Sequence, residues 1–253
     1  MPFRTALAAA ALGVLAALLP VPAVAGATAP SASADHRQES AAHGATSARR
    51  SGAKACRKRL LAPEKPVPAS RLASCVIGKL TRDATVSVTT LNTDDKTVAR
   101  HRYGRTMDVS MTARSGAGFI SLGKAAWWRA PGATAWVRAK ANGSEQEQLA
   151  HLVAATYRAT NQPAYLRTVL ASSATGYTPT GKVRTISGVR AREYVGSPTA
   201  MGVTHSHYSI WLADDDRTVR IDATATLGGV SARNLQTFSA WGKPVRIAPP
   251  ARG

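Results

Sequence analysis

The chain has 253 residues, 33 Lys and Arg against 14 Asp and Glu, a formal charge of +19, 44% hydrophobic residues and two cysteines. Its length allows one domain with a substantial core, and its charge predicts attraction to anionic surfaces such as membrane headgroups or acidic wall polymers. The basic residues are scattered singly apart from "KACRKR" (54–59), without zinc spacing or a helix-turn-helix signal, so specific nucleic-acid recognition is not expected.

The first 25 residues, "MPFRTALAAAALGVLAALLPVPAVA", hold one basic residue, Arg4, an apolar run from Ala6 to Leu19 and a small-x-small site at Ala23-Val24-Ala25. They read as a secretory signal peptide cleaved after Ala25, with Ala34 as a second site. The run is too short to span a bilayer comfortably, which takes about 20 apolar residues. Cleavage at Ala25 removes only Arg4 from the charge count and leaves +18. Residues 26–55, rich in Ala, Ser and Gly and without a large apolar side chain, read as a disordered linker. The domain proper is then expected over 56–250. Export favours disulfides, and a Cys56–Cys75 bridge would close a loop of about 20 residues, adding about 3 kcal/mol in the chain-entropy model. The stretch "LASC" (72–75) has lipobox residue types, but the charged, Pro-rich segment before it cannot be the apolar part of a signal peptide, so no lipid anchor is expected at Cys75.

In "PASRLASCVIGKLTRDA" Leu72, Val76 and Leu80 recur every four residues, with Ser70 available as an N-cap, which predicts a short amphipathic helix. Strand alternation follows. Ala84, Val86 and Val88 share one face, and Met107, Val109 and Met111 share another, each opposite a wet face. Two Trp-bearing arms, at Trp127-Trp128 and Trp136-Val137, meet at Pro131-Gly132, a pair suited to a type II turn. "SEQEQLAHLVAATYRATNQPAYLRTVLAS" opens with a Ser144/Glu147 capping box and carries an apolar stripe of Leu149, Leu152, Val153 and Tyr157. Pro163 interrupts it, and a second helix bears Tyr165, Leu166, Val169 and Leu170. Strands resume after Gly176. Tyr208, Ile210 and Leu212 share one face; across an Asp214-Asp215-Asp216 turn, Val219, Ile221 and Ala223 share another. In the tail, "FSAWGKPVRIAPP" (238–250), a strand breaks at Trp241-Gly242-Lys243-Pro244 and resumes for Val245, Arg246 and Ile247. The order of helix, strands, helical pair and strands predicts an α+β fold, an antiparallel sheet with helices gathered on one side.

No catalytic constellation can be assembled. A G-x-S-x-G elbow, an H-E-x-x-H pair and a dinucleotide fingerprint are all missing from the sequence. "GYTPTGKV" (176–183) ends in Val183 where a phosphate loop needs a hydroxyl, and reads as a turn. His205 and His207, two apart on a strand, are expected on one face but lack further ligands for a metal. Asp214–Asp216 and Asp94-Asp95 read as hairpin turns, and "NGS" at Asn142 as a turn before the helix. The expectation is therefore a protein that is not an enzyme, with no cofactor and no metal.

Four segments in order resemble the LolA/LolB-like superfamily of half-barrel lipid carriers, within it the actinobacterial LppX/LprG-type lipoproteins. They are "AWWRAPGATAWVRA" (126–139), "ISGVRAREYVG" (186–196), "YSIWLADDDRTVRI" (208–221) and above all "FSAWGKPVRIAPP". The resemblance implies a curved antiparallel sheet whose concave apolar face, covered by the helices, holds a lipid or other apolar small molecule. Met107, Val109, Met111, Tyr208, Ile210 and Leu212 are the candidate cavity residues; equally, they would serve as a filled core. Members usually carry a lipidated cysteine directly after the signal peptide, and this chain has none there. Two functions are thus expected: an exported, envelope-associated carrier or sensor with peripheral contact to anionic membrane or wall, or a secreted basic module with a filled core that binds anionic cell-wall or membrane polymers.

Overall fold

In this computed structural model residues 65–92, 95–200, 202–227 and 230–251 are described. The signal segment, the linker and Cys56 lie outside them. The first helix, α1 (Ala69–Asp83), buries Leu72, Val76, Ile77 and Leu80 along one stripe and ends at Ala84, whose φ of 59° lets its N–H reach the Leu80 carbonyl. Pro68, not Ser70, occupies the N-cap position, and no side chain caps the helix. Proline has no N–H of its own to satisfy there and presets the entry of the chain.

Twelve strands follow, every pairing antiparallel. They are β1 (Thr85–Asn92), β2 (Lys96–Tyr103), β3 (Met107–Ala113), β4 (Gly118–Leu122), β5 (Ala125–Arg129) and β6 (Val137–Arg138), then, after two helices, β7 (Thr178–Ile186), β8 (Val189–Val195), β9 (Thr199–Ala200), β10 (Val203–Ala213), β11 (Thr218–Leu227) and β12 (Val230–Ser239). The sheet runs β6-β5-β4-β3-β2-β1-β12-β11-β10-β8-β7, with β9 paired to β10. It is open, so the fold is an α+β half-barrel made of two meanders that meet where β1 pairs with β12. The Trp-bearing hairpin turns at Ala130–Ala133, where Gly132 has φ 72° and the Ala133 N–H donates to the Ala130 carbonyl, as a type II turn requires.

The capping box forms as expected at the start of α2 (Glu145–Asn161): Ser144 accepts from the Glu147 N–H while the Glu147 carboxylate accepts from the Ser144 N–H. Val153 and Tyr157 are buried and Leu149 is half-buried, but Leu152 points to solvent, so the apolar stripe is narrower than the spacing suggests. Pro163 opens α3 (Pro163–Ala171) at its first turn.

The helices divide one face of the sheet. Under α1 and α3 lies a cluster that includes Val86, Val88, Tyr177, Tyr208, Ile210 and Leu212; under α2 lies a second, with Val109, Met111, Phe119 and Trp128. The outer face of the second meander has its own small cluster of Ile186, Ala191, Trp211, Ala213 and Val219.

Several local expectations are corrected by bulges and prolines. A register shift between Trp211 and Leu212 turns Val219 into the outer cluster, away from Ile221 and Ala223. Another between His205 and His207 buries His205, whose Nδ1 lies 2.9 Å from the Pro198 carbonyl, and leaves His207 exposed, so the pair does not share a face. "GYTPTGKV" is largely strand β7 with an irregularity between Pro179 and Val183, rather than a turn. The tail does not resume as a strand after Gly242; Pro244, Pro249 and Pro250 cannot donate to a ladder.

Candidate functional site

Between the two inner clusters, α1 and α3 do not seal against the sheet. The crevice left there has about 890 Å³ of space not filled by atoms, counting the part open to solvent, but only about 70 Å³ that the centre of a water molecule can reach. It is narrow and mostly apolar. Val88, Ala99, Ala223 and Phe238 line its floor, while Val76, Ile77 and Leu80 of α1 and Leu166, Val169 and Leu170 of α3 form its roof. Trp241 stands at one side, stacked on Phe238 with ring centroids 6.2 Å apart. The turn that places it is held by the Gly242 N–H donating to the Thr85 carbonyl at 3.0 Å and by Thr85 Oγ1 donating to the Lys243 carbonyl at 2.9 Å. Gly242 itself has φ 68°, a conformation that favours glycine.

One wall is aromatic and titratable. His101 lies between the rings of Tyr103 and Tyr157 at 5.8 and 6.1 Å and shares a 2.9 Å hydrogen bond, through Nε2, with the Tyr157 hydroxyl. Burial lowers its pKa to about 4, so the imidazole is neutral at pH 7. Burial also pushes the Tyr103, Tyr157 and Tyr208 hydroxyls upward, so all three stay protonated. A nucleophile activated by a base is not among these groups, and among the described residues no His, Cys, Asp and Glu gather in threes to hold a metal.

Beside the crevice, sharing Ile77 and Tyr103 with it, runs an open groove of about 1310 Å³. Arg82, Arg105, Arg158 and Arg167 line it against a single acid, Asp216. Arg158 donates to Ser121 Oγ and to the Gly123 and Ala125 carbonyls, which ties α2 to the β4–β5 turn. Burial lowers its pKa, with the Asp108 carboxylate acting in the opposite direction.

The six residues singled out from the sequence are not brought together. Tyr208 lines the crevice. Ile210 and Leu212 belong to the core cluster around it, Met107 reaches the rim of the groove, and Val109 and Met111 are packed beneath α2. Cys75 sits buried on α1, while its expected partner Cys56 is outside the described residues.

Sequence reasoning missed the polar members of the crevice: Thr90, His101, Asn161, Thr218, Asn234 and Gln236. Hydrophobic alternation points the wrong way on β12. There Asn234 and Gln236 face the crevice, whereas Leu235 lies on the other face, opposite the exposed Leu91. The helix α2 signal was available for Asn161, one turn beyond Tyr157, but a lone Asn at a helix end reads as a cap.

No family model and no curated protein matches the chain in sequence. Similar solved structures include a LolA superfamily protein from Nitrosomonas europaea, at 13% identity over 72% of this chain and 96% of that one, with a TM-score of 0.29. Another is the MucA/MucB complex of Pseudomonas aeruginosa, at 11% identity over 71% of this chain and 59% of that one, with a TM-score of 0.36. A third is a domain of an outer membrane lipoprotein-sorting protein from Vibrio parahaemolyticus, at 9% identity over 62% of this chain and 82% of that one, with a TM-score of 0.24. The first is a member of the LolA superfamily, which the sequence motifs resemble.

Proposed function

We propose that this chain is an exported, non-enzymatic carrier or sensor that holds a lipid or other apolar ligand between α1, α3 and the concave face of the sheet. The observation that carries this reading is the unsealed seam itself: an apolar crevice roofed by two helices and bordered, at Ile77 and Tyr103, by an open, basic groove. At about 70 Å³ the crevice is far below the roughly 300–1,000 Å³ of a ligand pocket, so a ligand enters by lifting the roof. Exposing on the order of 300 Å² of apolar surface costs about 7 kcal/mol, and about ten buried methylenes offset it at ~0.8 kcal/mol each. Binding then needs a chain of roughly ten carbons or more. The basic groove suits approach to an anionic membrane or wall.

In the same reading residues 1–25 are a cleaved signal peptide, 26–55 a linker and 56–250 the domain, with Cys56 and Cys75 bridged and no lipid anchor. Mass spectrometry of organic extracts of the natively purified protein, together with titration of a fluorescent fatty acid, tests it. Saturable binding that strengthens beyond about ten carbons supports it; empty extracts and no saturable binding reject it.

The second reading, a filled basic module that binds anionic cell-wall or membrane polymers, draws on the small crevice and the tight packing of Val109 and Met111. It expects binding to anionic vesicles that disappears as salt rises, without any apolar ligand.

A further inference from the structure

The crevice holds more buried polar groups than a hydrocarbon slot needs. Across the sheet floor, opposite residues of the antiparallel ladder form one row on a single face: Thr97 on β2, Thr90 on β1, Gln236 on β12, Ile221 on β11 and Ile210 on β10. The polar end of that row is buried. Gln236 is 1% exposed, and neither its amide oxygen nor its amide nitrogen has a hydrogen-bond partner within the protein; Thr97 Oγ1 has none either. Above the floor, Asn161 uses its Nδ2 on the Tyr157 carbonyl at 2.9 Å but leaves Oδ1 unpartnered.

Burying a polar group without a partner forfeits its whole desolvation free energy, and native structures rarely tolerate it. Methionine has nearly the shape of glutamine and carries no such cost. A site for plain hydrocarbon gains nothing from an amide at position 236, whereas an amide with both its donor and acceptor free matches a hydroxyl or carbonyl group. The neutral His101 ring, with Nδ1 unpartnered, marks a second polar point. Its register on β1 is Val86, four residues from Thr90, or about 13 Å along the strand at ~3.3 Å per residue. The stretch between them is apolar, with Val88, Ala99 and Phe238.

We propose that the ligand of this crevice is an acyl chain bearing a hydrogen-bonding group, hydroxyl or carbonyl, set back from its ends, and that the Gln236 amide pairs with that group. This rests on the crevice being a ligand site, and the test separates the two ideas. On lipid-extracted mature protein, stearate and hydroxystearates with the hydroxyl near the carboxylate, at mid-chain or beyond it compete for bound N-phenyl-1-naphthylamine. At least one hydroxystearate binds about tenfold more tightly than stearate, the size of one added hydrogen bond. In Gln236→Met the preference disappears, stearate binds at least as well as to the wild type, and the melting temperature rises.

Equal binding of all these acids to the wild type overturns the proposal and leaves the carrier reading standing, as does a preference that survives in Gln236→Met. Absence of binding by every probe removes both. Should Gln236→Met fail to fold, the wild-type preference still decides, and Thr90→Val, opposite Gln236 in the same row and on the crevice floor, reads the loss of the polar floor independently.

Discussion

Ala223 offers a substitution whose sign distinguishes a hollow seam from a filled one. It is buried on β11 opposite Tyr208 and Asn234, and its methyl group lines the crevice floor. Ala223→Leu adds three carbons, about 80 Å³, comparable with the roughly 70 Å³ of free space. Filling that space at ~24 cal/mol per Å³ stabilises the fold by about 1.5 kcal/mol, a rise in melting temperature of about 3–6 °C for a domain of this size. If the space is already occupied by side chains, overpacking lowers stability by about 1–3 kcal/mol instead. Thermal unfolding followed by circular dichroism, on lipid-extracted wild type and variant, reads the difference. The same variant loses at least tenfold in affinity for a fatty-acid probe, since its side chain takes the ligand's place. A destabilised Ala223→Leu that binds the probe unchanged would refute both the hollow and its use.

Acid weakens the fold through His101. Its pKa is about 4 in the folded protein against about 6.5 in the unfolded chain, so the unfolded state binds more protons between those values. Stability is complete above about pH 6.5 and falls by about 3 kcal/mol as pH drops through 4; His205, also lowered by burial, acts in the same direction. Urea unfolding at pH 7, 5.5 and 4 measures the slope, which flattens in His101→Phe. Ser144→Ala removes the capping box of α2 and costs about 1 kcal/mol, seen as a fall of about 2–4 °C in melting temperature. If Cys56 and Cys75 are bridged as proposed, reduction lowers stability by about 3 kcal/mol and adds the mass of two hydrogen atoms; an unchanged mass on reduction refutes the bridge.

The elements that were legible from the sequence are those whose signal is local. The four-residue spacing on α1, the Ser144/Glu147 box and the Pro131-Gly132 turn each declare themselves within a few residues. What escaped depends on partners far away in sequence. Two bulges in the β10–β11 pairing, one at Ser206 on β10 and one at Val219 on β11, neither marked by Gly or Pro, reverse the facing of His207 and Val219. On β12 the inward residues are Asn234, Gln236 and Phe238, so a search for apolar alternation selects Leu235 and the wrong face. Met107, Val109 and Met111 were found to be inward residues, yet whether an inward residue borders a crevice depends on which helix lies above it. Here α2 closes over Val109 and Met111, while α1 and α3 leave Val88 and Ala223 uncovered enough to line free space.

The pairing of β1 with β12 joins the earliest strand of the sheet to the latest, in register from Ser87–Ser239 to Asn92–Asn234. The centre of the sheet therefore zips only after the final strand has been made and delivered, whereas each meander can assemble earlier from hairpins close in sequence. Such distant closure is slow compared with local pairing, and it keeps the sheet incomplete until synthesis has passed its last strand. A truncation before Val230 does not trim a margin; it splits the sheet down the middle and leaves two half-sheets with unpaired inner borders.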